Sequence, residues 1–282
     1  MRLRLVVSLA VVASALAAPA AGSDGGPSPG ALVGWTGVLS PIGTIRYAAL
    51  ATGRSTLVAA VEVEGGRVLD YRTIRGRYGI PLVADDGTTG GVSGDGSALV
   101  LAPLAAPSAP DGTTRFVVLL PGQRLLPWRT IALRGAFSFD AISPSGRFLY
   151  LVEYLPSPSG YATYRVRAYD VRRGELLAGA IVDRRQQGEA MEGSPVTRAS
   201  SRDGRWAYTL YARPRGHPFV HALDTTGRRA FCVDLPWRGY APEALNGVKL
   251  VVSERALVLR DYAGRLASID RKTFGVRSTR EP

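Results

Sequence analysis

One cysteine and two histidines are all that this 282-residue chain holds of the two residue types that most often carry metals and nucleophiles, and only Lys249 and Lys272 are lysines. A lone Cys232 excludes an internal disulfide and a thiolate zinc site. Its setting, Ala230-Phe231-Cys232-Val233, reads as a strand, so the thiol is expected as a small core hydrophobe rather than a nucleophile. His217 and His221 flank Pro218 in a strand-rich stretch and lack carboxylate companions, so no metal is expected there. Asp85-Asp86-Gly87 lacks the spacing of a calcium loop. Gly91-Val92-Ser93-Gly94 continues into Asp95, which breaks a nucleophile elbow, and no phosphate-binding GxxxxGK[ST] loop occurs. No cofactor and no catalytic residue follow from these motifs.

Long apolar runs are equally scarce. Leu5 to Leu16, preceded by Arg2 and Arg4 and followed by small residues before Pro19, is shorter than the ~20 residues a bilayer span needs. The pattern is that of a cleaved signal peptide over residues 1–21, with 22–30 as a flexible leader rich in Gly, Ser and Pro. No cysteine near the cleavage region offers a lipid attachment point, so a secreted or extracytoplasmic chain without a lipid anchor or later span is expected. Residues 31–282 then suffice for one domain with a core that needs no covalent staple.

The formal charge is +12, two units of which Arg2 and Arg4 supply. Outside a cytoplasm, such a surface favours a protein or an anionic cell-envelope polymer as partner over nucleic acid. The Arg-for-Lys bias, with abundant Ala, Gly and Pro, also fits a GC-rich coding bias that has nothing to do with partners.

Amphipathic helices are absent too. In their place a phrase recurs in which a Ser-led turn ending in Gly separates two apolar stretches: Ser93-Gly94-Asp95-Gly96, Ser143-Pro144-Ser145-Gly146 and Ser201-Arg202-Asp203-Gly204. Self-similarity at ~40–60 residues marks a stacked or radial repeat. After each turn both faces of the next strand are apolar. Phe148, Tyr150 and Val152 alternate with Leu149 and Leu151, as in a sheet packed between two neighbours. A third strand closes on aspartate at Asp170, Asp224 and Asp270, where the side chain suits the amides of the following turn better than catalysis.

These turns and closing aspartates resemble the WD40-like propeller repeats of the TolB and YVTN type found in exported bacterial proteins. The resemblance covers most of residues 85–275 and implies an all-β fold, a single β-propeller of four-stranded antiparallel blades. Aligning Gly53, Gly96, Gly146, Gly204 and Arg255 counts five blades, with six the alternative if one unit is very degenerate. Closure would then pair a first strand near Leu32–Val38 with the last blade so that no long edge stays exposed.

In a propeller the leading strands and the loops entering them line the centre, which makes Asp86, Asp140, Glu192, Arg238, Tyr240 and Glu243 the candidate ligand-binding residues. Trp237-Arg238-Gly239-Tyr240 lies in a turn where a stacking surface is conceivable. Two functions compete on this reading. One is a monomeric, non-catalytic binding or scaffold module; the other is a glycosidase- or lactonase-like hydrolase, which requires two of these carboxylates to face each other across a cleft.

Overall fold

The computed structural model describes residues 30–104, 112–156, 163–185, 190–213, 216–238, 240 and 242–282; the expected signal peptide and nearly all of the leader lie outside them. The described chain is all-β, and its only helical pieces are two short 3-10 turns. No helix among the described residues is long and apolar enough to cross a membrane.

Five antiparallel sheets follow one another along the chain. β1 (Ala31–Leu32) precedes the first sheet, which is β2 (Gly34–Leu39), β3 (Ile45–Thr52), β4 (Ser55–Glu62) and β5 (Val68–Arg75). The second is β6 (Tyr78–Pro81), β7 (Leu99–Pro103), β8 (Thr113–Leu120) and β9 (Leu126–Arg134), with β1 at its edge. The third is β10 (Phe137–Ile142), β11 (Phe148–Leu155), β12 (Thr163–Asp170) and β13 (Glu175–Leu176), with β14 (Met191–Glu192) also on β12. The fourth is β15 (Ser194–Ser200), β16 (Trp206–Ala212), β17 (Phe219–Asp224) and β18 (Arg229–Asp234). The fifth is β19 (Lys249–Val252), β20 (Ala256–Asp261), β21 (Gly264–Asp270) and β22 (Val276–Ser278).

The turn between the first two strands of each sheet is one hydrogen-bonded device. Ser143 Oγ accepts the amide of Phe148 at 2.9 Å and Ser201 Oγ that of Trp206 at 2.9 Å, while Ser93 Oγ accepts that of Ala98 at 2.9 Å. Gly96, Gly146 and Gly204 close these turns at φ 72°, 69° and 69°, a region a Cβ disfavours. The first sheet has the same device one hairpin earlier than the repeat alignment places it. Ser40 Oγ accepts the amide of Ile45 at 3.1 Å and Gly43 sits at φ 75°, whereas Gly53 belongs to the β3–β4 turn. In the fifth sheet the turn contracts, and Ser253 Oγ accepts the amide of Ala256 at 3.1 Å. The closing aspartates act as expected. Asp170, Asp224 and Asp270 each accept two turn amides, from Arg172 and Arg173, Thr226 and Gly227, and Lys272 and Thr273.

Apolar clusters join the sheets in succession. Tyr47 and Val58 of the first pack with Leu99 and Leu119 of the second, and Val118 of the second with Leu149 and Leu151 of the third. Tyr150 of the third packs with Ala207 of the fourth, and Leu210 of the fourth with Leu257 and Leu259 of the fifth. β11 is therefore buried on both faces, as its sequence implies.

The expected closing strand is a correction. Ala31 and Leu32 pair with Pro81 and Ile80 of the second sheet, and Gly34 and Val38 with Ala49 and Tyr47 of the first, so residues 31–38 add nothing to the last sheet. The reason is local. The next extended segments along the chain, β3 and β6, offer antiparallel edges at little loop-closure cost.

Candidate functional site

The second sheet departs from the repeat. Its leading strand stops at Pro81, makes an excursion over residues 82–89, and resumes at Gly90, whose amide donates to Pro81 O at 2.9 Å. The tip of the excursion reaches the fourth sheet. β15 carries a bulge between Pro195 and Thr197, and its Pro195 and Val196 carbonyls accept the amides of Asp85 and Asp86 at 2.7 and 3.2 Å.

This contact sets Asp86 against the fourth and fifth sheets. Asp86 Oδ2 accepts Thr197 Oγ1 of the fourth sheet and Lys249 Nζ of the fifth, both at 2.7 Å, while Oδ1 accepts the Thr88 amide at 3.0 Å. Burial pushes the Asp86 pKa up, but the hydrogen bonds from Lys249, Thr88 and Thr197 outweigh it and hold the carboxyl below the ordinary carboxylate range.

Asp140 meets a second cation. It sits at a bulge in β10 between Phe139 and Ala141, almost wholly buried, and its Oδ1 and backbone carbonyl both accept from the Arg198 guanidinium of β15. Arg198 Nε donates to Thr209 Oγ1 at 2.8 Å. Among the described residues Asp140 Oδ2 is buried without a hydrogen-bond partner. Beside this pair opens a cavity of ≈ 350 Å³, lined from successive sheets by Leu39, Gly90, Ser93, Asp140, Arg198 and Ser201. The Ser-led turns crowd together there. A Cβ on Gly94 would stand 2.8 Å from Asp203 O, and the Asp95 amide donates to Pro144 O at 2.9 Å.

From Arg198 a cross-strand row of Thr209, His221 and Cys232 runs across the fourth sheet. His221 is fully buried and, among the described residues, neither ring nitrogen has a hydrogen-bond partner; burial pushes its pKa down, against the pull of Asp140. Burial, with Asp183 nearby, pushes the Cys232 thiol up to about 12, so it is no thiolate at neutral pH. The row meets Asp183, which accepts the Cys232 amide at 2.8 Å and binds Arg185.

The remaining sequence candidates stand elsewhere. Glu192 is exposed on β14, opposite Thr163 at the third sheet's edge. Tyr240 Oη bridges the amide and carbonyl of Arg213, both at 3.0 Å, and the exposed Arg238 gives its amide to Glu281. Glu243 is exposed in a 3-10 turn. Trp237, read from sequence as part of a stacking surface, is instead fully buried, with Nε1 donating to Ser278 Oγ at 3.1 Å; Gly239 lies outside the described residues. Of the six candidates only Asp140 lines the cavity; Asp86 is tied to Thr197 and Lys249 off its wall, and Glu192, Arg238, Tyr240 and Glu243 stand elsewhere. Arg198 and Lys249 were missed. A charged residue in the apolar-flanked run Val196-Thr197-Arg198-Ala199 was the available signal. No group of three or more His, Cys, Asp or Glu side chains among the described residues could hold a metal ion.

No family model matches the chain, and no curated protein matches it in sequence. Among solved structures it is similar to hydrazine synthase of Kuenenia stuttgartiensis, at 15% identity over 82% of this chain and 75% of that one, with a TM-score of 0.43. It is similar to TolB of Acinetobacter baumannii at 10% identity over 85% of this chain and 54% of that one, TM-score 0.42. Its structural neighbours are TolB-like and other β-propeller proteins. A Mycobacterium tuberculosis puromycin-hydrolyzing peptidase also matches, at 17% identity over 85% of this chain, TM-score 0.40, and this chain spans 37% of that protein's length.

Proposed function

We propose that the chain is an exported, non-catalytic binding module, a single five-bladed propeller acting as a monomer, that holds a protein or an anionic envelope polymer against one face of its disc. The observation that carries this reading is how the two central carboxylates are used. Asp86 ties the second sheet to the fourth and fifth through Thr197 and Lys249, and Asp140 ties the third to the fourth through Arg198. A general acid needs a carboxyl raised toward neutrality, and Asp86 is shifted the other way. Groups fixed in this manner brace a scaffold, leaving recognition to the surface.

The test is a pull-down of residues 22–282 against envelope extract at two salt concentrations, with mass spectrometry and glycan analysis of what is retained. A protein retained at high salt supports the module. Polymer retained only at low salt supports binding by net charge. Turnover of a glycoside or lactone that vanishes in Asp86→Asn or Asp140→Asn overturns the reading in favour of a hydrolase.

A further inference from the structure

Each pair of consecutive sheets shares a buried apolar cluster, yet among the described residues none joins the fifth sheet to the first. In the fifth sheet Leu257, Leu259 and Ile269 face the fourth. Strand alternation and register then place Val251, Val258, Arg260 and Arg277 together on the opposite face. Val251 is 45% exposed, Arg260 and Arg277 are exposed, and neither arginine has an ion pair among the described residues. The acidic residue sharing that face, Asp270, accepts the amides of Lys272 and Thr273 and keeps its negative charge, which Arg277 partly offsets. The exposed face therefore has an apolar centre and a flank on which Arg260 and Arg277 outnumber Asp270.

Charge complementarity selects its occupant. A second copy meeting this face with its own would bring two faces of net positive charge together, and a bare polyanion has nothing to bury against Val251 and Val258. We propose that the free face of the fifth sheet docks an acidic protein segment in which carboxylates alternate with aliphatic side chains, the aliphatics lying on Val251 and Val258 and the carboxylates at Arg260 and Arg277. This assignment rests on the binding-module part of that reading alone: it places the partner on the lateral face of the fifth sheet, left open toward the first, and not on a face of the disc.

The experiment is fluorescence anisotropy of a labelled peptide of alternating Glu and Leu, titrated with residues 22–282, against polyglutamate of equal length. The Glu-Leu peptide is expected to bind, with Arg260→Glu/Arg277→Glu and Val251→Asp each weakening it about tenfold or more, while Arg172→Glu, on the third sheet, leaves it unchanged. Val251 is outside the core, so its variant keeps the fold. Equal binding of polyglutamate, or undiminished binding by the variants, overturns the proposal. So does a dimer in sedimentation that Val251→Asp abolishes, which would make a second copy the occupant, or a rapid intrachain disulfide in Leu39→Cys/Val251→Cys, which would mean that the first and fifth sheets close on each other. A salt-resistant protein retained in the pull-down alongside failure here would leave the module standing and remove only this surface.

Discussion

Trp237, Leu245, Val248, Leu257 and Leu266 are buried together where the fourth sheet meets the fifth, and apolar area is what holds that contact. Where the fourth meets the third, the Arg198–Thr209–His221–Cys232 row lies beside Asp140, and Tyr164 stacks on Tyr211 with ring centroids 5.8 Å apart. The two contacts pack opposite faces of the fourth sheet and resist different insults. An apolar contact is non-directional and tolerates small shifts. A buried ion pair satisfies its groups in only one relative position of the two sheets and is costly when one partner is missing.

The largest effect expected from breaking this comparison is on the apolar side. Trp237→Ala should cost ~3–5 kcal/mol, the range for truncating a fully buried large aromatic, read as a lower urea midpoint. On the polar side, Arg198→Met leaves Asp140 buried without its cation and should cost about 3 kcal/mol, most of which the double variant Arg198→Met/Asp140→Leu recovers. A double variant as unstable as the single one would mean that the pair's geometry, beyond its neutrality, holds the two sheets.

A smaller effect depends on pH. The unfolded His221 takes up a proton near its ordinary value of 6.5, whereas burial lowers the folded pKa, so the unfolded state binds more protons in that window. Stability should therefore fall as pH drops below about 6.5, by at most ~1.4 kcal/mol per unit until the folded pKa is reached. His221→Leu should flatten that slope in denaturation curves between pH 7 and pH 5, where the depressed Asp86 still adds its full share; the Asp86 contribution is lost only at lower pH. Smallest of all, Ser201→Ala removes the acceptor for the Trp206 amide and should cost about 1 kcal/mol, leaving the balance between the two contacts unchanged.

The parts legible in the sequence are those made by residues a few positions apart. Ser143 bonds to Phe148 and Asp224 to Gly227, so spacing alone exposes both devices. Ser40 escaped because the alignment seized on Gly53, which serves a different hairpin, and Ser253 because its shortened turn has no glycine. Asp86 and Asp140 were singled out from sequence but their cations were not, since Asp140 and Arg198 are 58 positions apart and Asp86 and Lys249 are 163 apart. Trp237 was misplaced for a related reason. Its surroundings in sequence look like a turn, while its burial comes from strands of the next sheet.

The sequence by itself determined the repeating unit, its serine turns and aspartate stops, because those bonds close within a hairpin and depend on no distant residue. The tertiary structure decided which carboxylate meets which cation, that residues 82–89 cross to the fourth sheet, and that among the described residues no buried apolar cluster joins the fifth sheet to the first. Each of these depends on how whole sheets stand against one another, which short-range spacing does not encode.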